Sequence, residues 1–93
     1  MSILKSIELI HQADGHNKFY KITITEYKTG TYDVEAFWGK ISNDGYDSMT
    51  KYSGKDLSLA EKAFDKTLKQ KLRKGYLLAN LDGLEVRKYD QKV

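Results

Sequence analysis

Apolar and polar residues alternate through the first half of the chain, and one long stretch further on repeats its apolar positions every three or four residues. Between residues 3 and 11, Ile3, Ile7 and Leu9 fall on alternate positions with Lys5 among them, the period of a half-buried strand. Leu4 and Ile10 lie in the opposite phase, so part of that side is expected to be covered as well. In residues 19–27, Tyr20, Ile22 and Ile24 alternate with Lys21, Thr23 and Thr25, and the β-branched residues favour a pleated strand. Residues 32–41 carry Tyr32, Val34, Ala36 and Trp38 in one phase, and a fourth strand is expected over residues 46–52. The connections Ala13-Asp14-Gly15-His16-Asn17, Lys28-Thr29-Gly30-Thr31 and Ser42-Asn43-Asp44-Gly45 are rich in residues that tolerate tight reversal. Hairpin-linked strands of this kind make an antiparallel meander whose apolar face needs a cover.

One helix over residues 58–74 supplies that cover. Ala60, Ala63, Phe64, Thr67, Leu68 and Leu72 share a broad face at the helical period, with Phe64 and Leu68 expected against the sheet. Ser58-Leu59-Ala60-Glu61 reads as a capping box, and Gly75 suits the left-handed position that ends a helix. Lys62, Lys66, Lys69 and Arg73 recur at intervals of four, three and four and form a basic stripe on the opposite side. Such a stripe is ordinarily a solvated face; its other use is contact with nucleic acid. Lys71 instead falls in the apolar sector near the helix end, where a charge must reach outward or meet an anion. Residues 77–79 and 84–88 flank Asn80-Leu81-Asp82-Gly83 and predict a hairpin-like tail over residues 77–93. The pattern therefore predicts an α+β fold: a mainly antiparallel sheet of four to six strands, one long helix on a face, a single domain over residues 1–93.

Composition narrows the chemistry. With 93 residues, 40% of them hydrophobic, the chain can build one modest core. The absence of cysteine excludes disulfides and thiolate metal sites, and His11 and His16 alone make no zinc constellation, so no metal and no cofactor is expected. No apolar run is long enough to span a bilayer, and Met1-Ser2-Ile3-Leu4-Lys5 is too short and alternating for a signal peptide. A cytoplasmic protein without a membrane partner is the expectation. The net charge of +3 is uneven, −1 over residues 1–53 and +4 over residues 54–93, which favours an anionic partner. No nucleophile elbow, dinucleotide glycine pattern or phosphate loop is present; Gly54-Lys55-Asp56 lacks the upstream glycine and the hydroxyl that such a loop needs. The chain reads as a non-enzyme.

The third strand closes on Trp38-Gly39-Lys40-Ile41, with the single tryptophan of the chain followed by a glycine and a cation. Trp38 is in phase with Val34 and Ala36, so on its own it reads as a core aromatic or as an apolar platform beside a glycine that allows close approach. The larger order is informative. Asn17-Lys18-Phe19-Tyr20 opens a strand, Trp-Gly-basic-Ile follows, Gly45 comes four residues after Ile41, and Phe64, Lys66 and Lys71 lie on a helix closed by Gly75-Tyr76. Together, over about residues 17–76, these resemble the WGR domain, the nucleic-acid-binding module of poly(ADP-ribose) polymerases that also occurs in short bacterial proteins.

The resemblance implies non-catalytic, largely sequence-independent binding of nucleic acid, DNA above all, with DNA ends as a target; catalysis in the polymerases belongs to a separate domain. It implies that Trp38 packs on a terminal sugar, that Lys40 supplies a cation beside it and that Gly39 permits the approach. Lys66, Lys69, Lys71 and Arg73 are the helix candidates, Lys71 matching a lysine that recurs in the family. Three positions depart from the pattern: Lys40 replaces the name-giving Arg, Phe37 stands where many relatives carry Arg, and Ser42 stands where Gly is common. Lysine keeps the charge but lacks the planar fork of arginine, so Lys40 is a point contact rather than a bidentate reader. The seven tyrosines add stacking capacity wherever they face outward. The alternative is a protein–protein interaction module acting with a larger partner, since WGR domains also dock onto neighbouring domains.

Overall fold

The computed structural model describes residues 1–12, 15, 17–41 and 45–79. Strands β1 (Ser2–His11), β2 (Lys18–Glu26), β3 (Tyr32–Lys40) and β4 (Asp47–Gly54) precede helix α1 (Leu57–Arg73) and a short β5 (Leu77–Leu78). They form one antiparallel sheet in the order β4-β3-β2-β1-β5, with α1 lying across β2, β3 and β4 on one face. The expected α+β architecture is therefore present, with five strands among the described residues. Residues 13, 14, 16 and 42–44 of the expected turns, and the strand expected over residues 84–88, lie outside the described residues.

The β2–β3 hairpin sets the register. Tyr27 N–H donates to the Thr31 carbonyl at 2.9 Å and Gly30 N–H to the Tyr27 carbonyl at 2.9 Å, and Gly30 takes φ 84°, the left-handed step that closes a three-residue loop. Ile22 then faces Ala36 and Ile24 faces Val34. These side chains, with Ile7, Leu9 and Tyr20, meet Ala60 and Phe64 of the helix in the core. Phe64 is the largest fully buried side chain, at 1% exposure. Leu68 is half-buried and Leu72 is exposed, so the apolar helix face narrows toward its C-terminal end.

Two local expectations change, and β4 carries a bulge of its own. The capping residue is Asp56, whose carboxylate accepts from Ser58 N–H at 2.9 Å and Leu59 N–H at 3.3 Å, while Ser58 Oγ donates to the same oxygen. A carboxylate serves the positive helix end better than a neutral hydroxyl does, so Ser58 falls inside the first turn instead of capping it. In β1 a bulge between Ile3 and Lys5 shifts the pairing, so Ile3 lies opposite Thr25 while Lys5 lies opposite Ile24. That extra residue removes Ile3 from the phase of Ile7 and Leu9 and leaves it exposed. In β4 a bulge opposite Val34 and Glu35 makes Lys51 the extra residue and puts Met49 and Tyr52, three apart, on one face. Among the described residues no helix is long and apolar enough to cross a membrane.

Candidate nucleic-acid interface

Sheet register builds the site. Leu9, Tyr20 and Trp38 stand side by side across β1, β2 and β3, and the next row is His11, Lys18 and Lys40, all on the face that carries α1. The Tyr20 and Trp38 rings stack, 5.8 Å apart and 13° from parallel. After α1, Gly75 at φ 101° turns the chain back, and Tyr76 presents its ring edge-on to Tyr20 at 6.1 Å and to His11 at 5.2 Å. Only a glycine fits that turn comfortably: besides the backbone angle, a Cβ there would meet His11 Nε2 at 3.0 Å.

Lys71 comes down from the last turn of α1 onto these rings. Its ammonium lies 4.5 Å from the Tyr20 ring centre and 5.8 Å from that of Tyr76, within reach of a cation–π attraction. The apolar sector thus accommodates this charge over aromatic faces. Burial lowers the Lys71 pKa first, and repulsion from Lys74, Lys51 and Lys18 lowers it further. Those three lysines therefore crowd the same region. Burial raises the pKa of Tyr20, with a further contribution from Tyr76, and burial raises that of Tyr76 itself, so both phenols stay protonated and able to donate.

Three adjoining clefts share Tyr76 as a wall. Tyr20, Trp38, Met49, Lys51 and Lys71 line one of about 350 Å³ with it. Trp38, Gly39, Lys40, Lys18 and Phe19 line another of about 210 Å³. His11, Lys18, Lys71 and Lys74 line a third of about 430 Å³. Asp47 lies opposite Trp38 in the β3–β4 pairing.

Of the residues singled out in the sequence, Trp38, Gly39, Lys40 and Lys71 come together here. Trp38 is half-buried, packed against the core through Tyr20 while bordering two clefts, so it is both core aromatic and cleft wall. Gly39 has a requirement of its own chain. A Cβ there would sit 2.9 Å from the Gly45 carbonyl oxygen, 3.2 Å from Phe19 Cε1 and 3.4 Å from Tyr46 Cα, so the space beside it is already filled. Lys66, Lys69 and Arg73 are exposed, and each projects roughly 140–200° around the helix from Lys71, away from the clefts. Reasoning along the chain passed over Lys18, Lys51 and Lys74. The first had a signal: once the 28–31 loop sets the hairpin register, Lys18 must oppose Lys40.

Stacking surface and clustered cations in one depression suit an anion that carries flat, apolar rings. The chain belongs to the WGR domain family, whose model matches residues 5–81. WGR domains are non-catalytic modules that bind nucleic acid. The match exceeds the expected 17–76 at both ends and takes in most of β1 and all of β5. No curated protein and no solved structure matches the chain.

Proposed function

We propose that this chain binds nucleic acid through its backbone, largely without regard to sequence, at the rows of β2 and β3 beside the C-terminal end of α1. Strand ends are the preferred target. Trp38 and Tyr20 offer the apolar platform for a terminal sugar or base, and Lys40, Lys71, Lys18 and Lys51 neutralise the phosphates around it. The observation that carries this reading is the placement of Lys71 over the Tyr20 ring, with three further lysines close enough to depress its pKa. Cations crowded this way repel one another until a polyanion enters. The stripe of Lys66, Lys69 and Arg73 gives a second, looser contact to duplex running past the helix.

The test is a titration against blunt duplexes with and without a 5′ phosphate at several salt concentrations. Three to five phosphate contacts give a log–log salt slope of about −3 to −5. A flat response to salt, or binding confined to one sequence, contradicts the proposal. The protein-interaction reading draws on the other sheet face, where Phe37 and Tyr46 meet edge-to-face at 5.8 Å beside Phe19 and Lys21. A partner held there would resist salt, because apolar contact is not screened.

A further inference from the structure

We infer that the cleft lined by His11, Lys18, Lys71, Lys74 and Tyr76 is a subsite for condensed phosphate, the linked di- or triphosphate carried at the 5′ end of a strand. The inference rests on the proposed nucleic-acid reading and specifies the end group that the site selects.

Two clefts of different chemistry adjoin through shared walls, Lys71 and Tyr76. The one on the Trp38 side offers Tyr20, Trp38 and Met49, surfaces for a sugar or base. The other offers three lysines and a histidine and, among the described residues, no carboxylate in its lining. Its volume of about 430 Å³ falls within the range of small-ligand sites, roughly 300–1,000 Å³. A nucleoside on the Trp38 side places its 5′ oxygen toward the Lys71 wall. A single phosphate there engages Lys71 and leaves Lys74 unused, whereas each further phosphate in the chain extends into the lysine-lined cleft, toward Lys74 and the Lys18 that borders it.

Among the described residues, the ion pairs leave these cations available. They are Lys5 with Asp65 at 3.8 Å and Lys21 with Glu8 at 4.0 Å, and neither engages Lys18, Lys71 or Lys74. Burial lowers the Lys71 pKa first, and repulsion from Lys74, Lys51 and Lys18 adds to it, which places those cations close together. A linked phosphate chain, compact and strongly negative, satisfies several ammonium groups within one small volume in a way that phosphates spaced along a strand do not.

The experiment measures binding of one oligonucleotide carrying a 5′ hydroxyl, monophosphate or triphosphate, with inorganic tripolyphosphate, orthophosphate and a free nucleoside triphosphate as competitors. Triphosphate ends should bind roughly tenfold or more tighter than hydroxyl ends, with monophosphate between them, since one added charge-assisted contact is worth about a decade of affinity. Lys74→Gln, at a cation outside the other two clefts, should narrow the gap between triphosphate and monophosphate severalfold while leaving hydroxyl-ended affinity within about twofold. The Lys74 side chain is exposed, so the melt should not move. Displacement by the free nucleoside triphosphate well beyond that by tripolyphosphate supports joint use of both clefts; equal displacement by orthophosphate and tripolyphosphate overturns the subsite. Hydroxyl and triphosphate ends binding alike overturns the inference and leaves the nucleic-acid reading standing. An oligonucleotide that fails to bind in every form overturns both.

Discussion

Replacing Lys71 by Met separates folding from function in one residue. The methionine fills the stem volume and keeps contact with Tyr20 and Tyr76, while the charge is lost. The stability change has two opposed parts. The cation–π attraction at 4.5 Å is worth about 0.5–1 kcal/mol at a partly exposed site, and its loss destabilises. Burial and the repulsion of Lys74, Lys51 and Lys18 disfavour the charged form, and their removal stabilises. The two oppose each other, so the net change should stay within about 1 kcal/mol, or some 4–8 °C in melting temperature for a domain this small. Binding has no such cancellation. One phosphate contact is lost, which should weaken affinity about tenfold or more and make the salt slope shallower by about 0.9.

The pH dependence follows from the direction of the shift. A lysine whose pKa is lower folded than unfolded holds fewer protons in the native state between the two values. The wild type should therefore gain stability as pH rises from the depressed value toward 10.5, and its affinity for nucleic acid should fall over the same window. Lys71→Met should flatten both curves. Anisotropy titrations at four salt concentrations, with melts on the same samples, supply the readout. A folded Lys71→Met protein with wild-type affinity and an unchanged salt slope would remove Lys71 from the interface.

Trp38→Ala should weaken end binding by about 1–3 kcal/mol with little change in salt slope, whereas Lys40→Ala should weaken all nucleic acids alike and flatten the slope by about one unit. A stably folded Trp38→Ala protein that binds ends with unaltered affinity would take the indole out of the site. Phe64→Ala opens a cavity under the helix and should cost about 3–5 kcal/mol, much of the stability of a small domain; an unchanged denaturant midpoint would show that the helix does not depend on this contact. Gly39→Ala should destabilise by about 1–3 kcal/mol, because its Cβ meets backbone at 2.9 Å, and a melt equal to wild type would mean that the Gly45 segment yields freely.

The elements were legible in the chain because their physical causes are local. Alternation in residues 19–27 and 32–41, the helical period through Ala60, Phe64 and Thr67, and the glycines at 30 and 75 each act within a few residues of themselves. The Trp-Gly-Lys step and the closing Gly-Tyr were likewise readable as an ordered set, and that order is enough to place the chain in its family. Bulges escaped this reading, because one extra residue in β1 or β4 changes which face every later side chain takes, and pairing decides where it goes. The convergence of Lys18, Lys51, Lys71 and Lys74 on Tyr20, Trp38 and Tyr76 was decided by tertiary structure alone. Four strands in register, a bulge that re-aims Lys51, and the crossing of α1 over β2 brought together lysines drawn from three different elements and the turn after the helix. Spacing along a chain carries charge and period; distance across a sheet arises only when the sheet forms.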